Sequence, residues 1–201
     1  MDIAMVCLGN ICRSPMAESV AGALVREAGL ADFVSVESFG TAAYHVGERA
    51  HPQADAALRR RGWPAGHHRA RHLQRRDLVR LDLVLCADQA NLADVRRLAG
   101  PAGVTELAVA DLLMEGLRAE VPRTPPGGGD GAIPPVPSLL GAGSSGSPHV
   151  ALLRSFDPGT GPDDAEVPDP WGGPDADFDH ALDLIERACR GLVAYLAGRG
   201  R

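Results

Sequence analysis

The sequence predicts an α/β fold: a single doubly wound domain with a four-stranded parallel sheet and helices on both faces. Three observations carry this expectation. Short continuous apolar runs alternate with amphipathic segments through the first hundred residues, the pattern of strands buried on both faces and joined by crossover helices. At 201 residues the chain is long enough to bury one core and short for two. The composition, 45% hydrophobic and 23% charged with a mean hydropathy of -0.07, is that of a globular protein.

The elements follow in order. Ile3–Leu8 is the first apolar run and reads as a buried parallel strand. Pro15–Ala28 carries Met16, Val20, Ala23, Leu24 and Val25 at helical spacing and is closed by Gly29. Val34–Phe39 alternates as a strand does, and Pro52–Arg61 is a helix with proline just inside its start. Leu83–Ala87 is the next strand and Asn91–Leu98 the next helix, ending at Gly100. Such a succession implies right-handed βαβ units.

Regularity fails after Leu117. Over residues 119–148, 14 of 30 positions are Pro or Gly, too little apolar surface to offset the entropy of ordering. The domain is therefore expected to span residues 1–201 with a flexible insertion at about 119–148. Order returns with Val150–Phe156, read as the fourth strand, and the chain closes with a helix from about Phe178 to Leu196 whose apolar residues form one stripe.

Charge and composition exclude several classes. A net charge of -6 argues against nucleic acid as the partner. All 20 basic residues are arginine, eight of them between Arg59 and Arg80. Such a cluster reads either as a polyanion patch or as the solvated face of two helices, and the overall acidity favours the second. No apolar run approaches the roughly 20 residues of a membrane span, and the N-terminus enters a strand with no basic leader. Four cysteines make no disulfide framework. A cytoplasmic protein with reduced thiols is expected, acting without membrane, metal or cofactor.

The chemistry concentrates in "VCLGNICRSP", Val6 to Pro15. In an open parallel sheet ligands bind beyond the carboxyl ends of strands, and Cys7 ends the first one. The loop then feeds a helix whose first amides are unpaired and whose dipole end is positive. Gly9 and Asn10 tolerate positive φ, so the loop can curl until several N–H groups converge on one spot. Arg13 adds a planar fork that matches two phosphate oxygens. A thiol in such a field is favoured as thiolate, with Ser14 able to donate to the sulfur. Under a bound phosphate that sulfur is placed for in-line attack while amides and Arg13 hold the equatorial oxygens.

This loop, followed by "MAES", resembles the phosphate-binding loop of the low-molecular-weight protein tyrosine phosphatases of bacterial type. The resemblance extends through "FGTAAYHVGE" and "HRARHL" to "VPDPWGG" and the last helix. It implies hydrolysis of phosphotyrosine in protein substrates through a cysteinyl-phosphate intermediate, with Cys7 as nucleophile and Arg13 as clamp. Leu8, Gly9, Asn10, Ile11, Cys12 and Ser14 complete the phosphate-binding loop. The general acid is implied at Asp169, in Asp169-Pro170-Trp171. Asp157, Asp163 and Asp164 in the same acidic stretch compete for that role on residue type alone. Tyr44 and Trp171 are the implied walls of the substrate cleft, although Gly172 stands where the family often has a second aromatic. His68 and Asp88 match supporting family positions, Asp88 with a structural role; for His68 a plain surface histidine is the alternative. Cys12 is either a protective disulfide partner of Cys7 or a small residue filling space. A monomer or weak dimer is expected.

Three rival functions share the loop. Arsenate reductases pass oxidation along closely spaced cysteines, whereas here Cys86 and Cys189 are far apart. Protein-arginine phosphatases tend to carry threonine where this chain has Ile11, and an apolar rim suits a phenyl ring better than a guanidinium. A phosphate-binding module without turnover needs neither the thiol nor the acid.

Overall fold

The computed structural model describes residues 1–100, 103–106, 147–161 and 164–198. Strands β1 (Asp2–Cys7), β2 (Ser35–Gly40), β3 (Leu83–Cys86), β4 (Thr105–Glu106) and β5 (His149–Leu152) form a parallel sheet in the order β2-β1-β3-β5-β4. Helices α1 (Arg13–Glu27), α2 (Pro52–Arg60), α3 (Arg75–Leu78), α4 (Gln89–Ala99) and α5 (Asp175–Gly198) surround it, and a 3-10 turn (Leu153–Phe156) follows β5.

The sheet corrects the expectation of four strands. Among the described residues it has five, because Thr105–Glu106 pairs with β5 at the edge. A two-residue strand with both residues exposed carries no apolar pattern to betray it. The apolar run Val150–Phe156 also changes conformation midway, extended to Leu152 and 3-10 from Leu153. The stretch expected as a flexible insertion lies outside the described residues except for 147–148.

Alternation along β1 divides the core. Ile3, Met5 and Cys7 face one side with α1 and α5, while Ala4 and Val6 face the other with Leu78, Leu92 and Val95 of α3 and α4. Both faces of the strand are therefore buried, which is why its sequence is continuously apolar. Phe178 of α5 is fully buried and stacks on His51, ring centroids 5.2 Å apart; His51 also caps α2 by accepting the Gln53 N–H at 3.4 Å. α5 is keyed to the 3-10 turn at Gly191, where a Cβ would lie 1.7 Å from the Phe156 carbonyl oxygen. Trp63, half-buried, donates its indole N–H to Glu186 of α5 at 2.8 Å.

Strand order reverses direction between β1 and β3, and a crevice opens there beyond their carboxyl ends. The loop after β1 and Ala87–Asp88 after β3 meet at that point. Among the described residues no helix is long and apolar enough to cross a membrane.

Candidate active site

α1 starts at Arg13, so the loop between β1 and α1 is only five residues, 8–12. Asn10 takes a left-handed conformation, φ 56°, and its amide N–H points back at the Cys7 sulfur at 3.3 Å. Gly9, Ile11 and Cys12 have no backbone acceptor for their amides among the described residues. Those amides and the orphan first turn of α1 form a cradle of donors.

The Asn10 side chain holds this curl. Its Nδ2 donates to Ser14 Oγ and Ser38 Oγ, both at 2.8 Å, and its Oδ1 accepts the Arg71 N–H at 2.7 Å. Its carbonyl meets His68 Nε2 at 2.7 Å, and the Ile11 carbonyl accepts the His51 N–H at 2.7 Å. Behind this shell Glu18 Oε2 accepts from Ser38 Oγ at 2.5 Å and faces His68 Nδ1 at 3.6 Å. Burial pushes the Glu18 carboxyl up, but the bonds from His68 and Ser38 and the charge of Arg71 outweigh it and hold it below the ordinary value.

Cys7 lies 3.0 Å from Ser14 Oγ. Ser14 has one hydroxyl proton, and the Phe39 carbonyl at 3.3 Å competes for it. A thiolate can only accept, so Ser14 donates to sulfur in that state, alongside the Asn10 amide. Cys12 differs. Burial first, then the nearby Cys7 and Asp169, push its thiol up to about 12 against the smaller pull of Arg13, and it stays neutral near pH 7.

Arg13 is buried and spans the site. Nη1 donates to Asp88 Oδ2 at 2.6 Å and to the Val167 carbonyl at 3.1 Å, and Nη2 donates to Asp169 Oδ2 at 2.8 Å. Burial pulls its pKa down, but Cys7, Asp169 and Asp88 outweigh that and hold the guanidinium charged. Its Nε is buried with no partner among the described residues. Asp88 serves twice, since Oδ1 caps α4 by accepting the Asn91 N–H at 2.7 Å.

A cavity of about 260 Å³ opens over Cys7, lined by the loop, Arg13, Tyr44, His45, Asp169 and Trp171. Tyr44 and Trp171 are 64% and 65% exposed at its mouth. The Asp169 side chain is 44% exposed, and its Oδ1 accepts the Trp171 N–H at 3.3 Å. The other candidate acids are engaged elsewhere: buried Asp157 pairs with Arg187 at 3.0 Å and Asp164 with Arg154 at 3.0 Å. Asp163 lies outside the described residues. The site residues singled out by sequence thus gather around one cavity, with the Asn10 side chain, Ser14 and His68 bracing the loop and Asp88 bracing Arg13.

Sequence reasoning missed Ser38, Glu18, His45 and the Val167 carbonyl. Glu18 had a signal, being one helical turn beyond Ser14. His45 had none, yet its Cδ2 stands 2.9 Å from where a Cβ on Gly9 would be, so a larger residue there would have to push that ring aside. Among the described residues no three His, Cys, Asp or Glu side chains group as a metal site requires.

Comparisons with known proteins bear on this geometry. The family model described as low molecular weight phosphotyrosine protein phosphatase matches residues 2–112 and 136–200. A low molecular weight protein-tyrosine-phosphatase of Streptomyces coelicolor is 35% identical over 192 residues, covering 96% of this chain and 91% of the relative. The crystal structure of YfkJ from Bacillus subtilis is similar with a TM-score of 0.67 at 25% identity, over 96% of this chain and 92% of that one. The Drosophila arginine phosphatase shares the fold, with a TM-score of 0.67 at 21% identity over 96% and 95% of the two chains.

Proposed function

The chain belongs to the low molecular weight phosphotyrosine protein phosphatase family, and from that premise we propose that it hydrolyses phosphotyrosine in protein substrates through a cysteinyl-phosphate intermediate. The observation that carries this reading is the convergence of the Cys7 thiol, the Arg13 fork and the Asp169 carboxyl on one cavity.

In the first step the Cys7 thiolate attacks phosphorus as the P–O bond to the phenolic oxygen breaks. Loop amides and Arg13, whose Nε has no acceptor among the described residues, hold the equatorial oxygens. Asp169, protonated, gives its proton to the leaving oxygen. In the second step a water oxygen attacks the phosphocysteine, the S–P bond breaks back to thiolate, and Asp169 takes the water's proton. The incoming phosphate competes with Asp169 for Arg13, which frees the carboxyl to face the leaving oxygen.

Tyr44 and Trp171 offer aromatic faces for a flat ring at the mouth. A protein-arginine phosphatase is the second reading, and Ile11 in the cavity wall weighs against it because it has no hydroxyl for a guanidinium. Action as a monomer or weak dimer in the cytoplasm completes the proposal, checked by light scattering and cell fractionation.

The test is turnover, with EDTA present, of phosphotyrosine, phosphoserine and phosphoarginine peptides. Release from phosphotyrosine alone, abolished in Cys7→Ser and lowered roughly 100-fold or more in Asp169→Asn, is expected. Preference for phosphoarginine overturns the substrate and keeps the mechanism, whereas equal activity in Cys7→Ser overturns the mechanism.

A further inference from the structure

We propose that Arg154 is a positioning residue for the general acid: its buried guanidinium fixes the segment Asp164–Asp169 and, through it, the Asp169 carboxyl. This inference rests on the phosphatase reading above and adds a residue to it.

Arg154 sits on the 3-10 turn and is 3% exposed. A buried guanidinium is costly unless it is paired and hydrogen-bonded, so what it binds is informative. Nη1 and Nη2 each donate to one oxygen of Asp164 at 3.0 Å, and Nη1 also donates to the Glu166 carbonyl at 2.8 Å. The planar fork therefore grips one segment at two points, which sets direction as well as position.

The base of this clamp is itself fixed. Asp157, 3.9 Å from the Arg154 Nε, is held by Arg187 of α5 at 3.0 Å, and Gly191 lets α5 close against Phe156. Downstream of the grip, Glu166 Oε1 accepts the Gln89 N–H at 2.9 Å. Val167 donates to the Ala87 carbonyl at 2.7 Å and accepts from Arg13 at 3.1 Å. Asp169 lies two residues further on, half-exposed, and among the described residues Arg13 is the one side chain that holds its carboxylate. Proton transfer demands heavy atoms within roughly 3 Å of each other, and a displacement of about 1 Å costs on the order of 100-fold in rate. The segment that carries the acid thus needs an anchor, and Arg154 supplies one at its upstream end, ahead of the bond from Arg13 to the Val167 carbonyl.

The experiment compares kcat/KM on two esters. Phenyl phosphate releases a basic oxygen that needs the acid's proton; dinitrophenyl phosphate releases one that does not. Arg154→Met is expected to lower kcat/KM about tenfold on phenyl phosphate and less than about twofold on dinitrophenyl phosphate. In an Asp169→Asn background it is expected to add no further loss, since both act through one proton. Arg154→Lys, which keeps the charge without the fork, falls between. Should Arg154→Met not fold, Asp164→Asn cuts the exposed side of the clamp alone and is expected to give the same leaving-group pattern. An equal loss on both esters, or a full loss persisting beside Asp169→Asn, overturns the role of Arg154 and leaves the phosphatase reading intact. An Asp169→Asn variant that handles phenyl phosphate as well as wild type overturns Asp169 as the general acid and the role of Arg154 with it.

Discussion

Replacing Asn10 separates what its side chain bonds from what its backbone conformation costs. Asn10→Gly keeps the left-handed φ of 56° free of strain but deletes the bonds to Ser14, Ser38 and the Arg71 amide. At about 1 kcal/mol net for each bond, the variant loses about 3 kcal/mol. Asn10→Ala deletes the same bonds and adds a Cβ where that φ disfavours one, a further 1–2 kcal/mol or about 4–5 in all. For a domain of this size each kcal/mol moves Tm by about 2–4 °C, so the glycine variant melts about 6–12 °C below wild type and alanine several degrees lower again. Urea unfolding with a fixed slope gives the free energies and calorimetry the temperatures. A glycine variant within about 0.5 kcal/mol of wild type refutes the accounting of bonds; an alanine variant no worse than glycine refutes the strain.

Three more outcomes are expected. Gly40 has no positive φ, so alanine there ordinarily stabilises by up to about 1 kcal/mol. Its Cβ would instead lie 2.7 Å from the Leu8 carbonyl oxygen, so Gly40→Ala is expected to destabilise by about 1–3 kcal/mol and to cut kcat/KM, as urea unfolding and kinetics will register. Glu18 is held below its ordinary value of 4.5. A depressed carboxyl contributes stability above its unfolded value and loses it as pH falls through its folded one. The stability gap between wild type and Glu18→Gln should accordingly shrink as pH falls below about 5; widening there contradicts the sign. Burial pushes Cys12 and Cys189 up to about 12 and raises Cys86 too, so iodoacetate near pH 7 should leave a single adduct by mass spectrometry, on Cys7, blocked by phosphate. An adduct on Cys12 counts against this.

How much of this was legible follows from where each signal resides. β1 is readable because both its faces are buried, and a strand of that kind is apolar without a break. The loop is readable because nucleophile, left-handed residue and clamp sit within seven positions, where spacing alone fixes geometry. The 3-10 turn at Leu153–Phe156 is invisible to hydropathy, since extended and 3-10 residues here are equally buried. Ser38 and His45 act across loops and strands, and a hydrogen bond such as Asn10–Ser38, 28 residues apart, leaves no periodicity in the chain. Arg154 is hidden for the same reason: a lone arginine in an apolar run announces burial, but its partners lie in another segment of acidic residues.

The chain has two tryptophans, and their surroundings differ. Trp171 stands in solvent at the mouth of the cleft, two residues from the acid. Trp63 is half-buried and tied by its indole N–H to α5, away from the cleft. Indole emission depends on solvent contact, so the molecule contains its own optical gauge: one fluorophore that responds when the cleft fills and another that stands as the reference beside it.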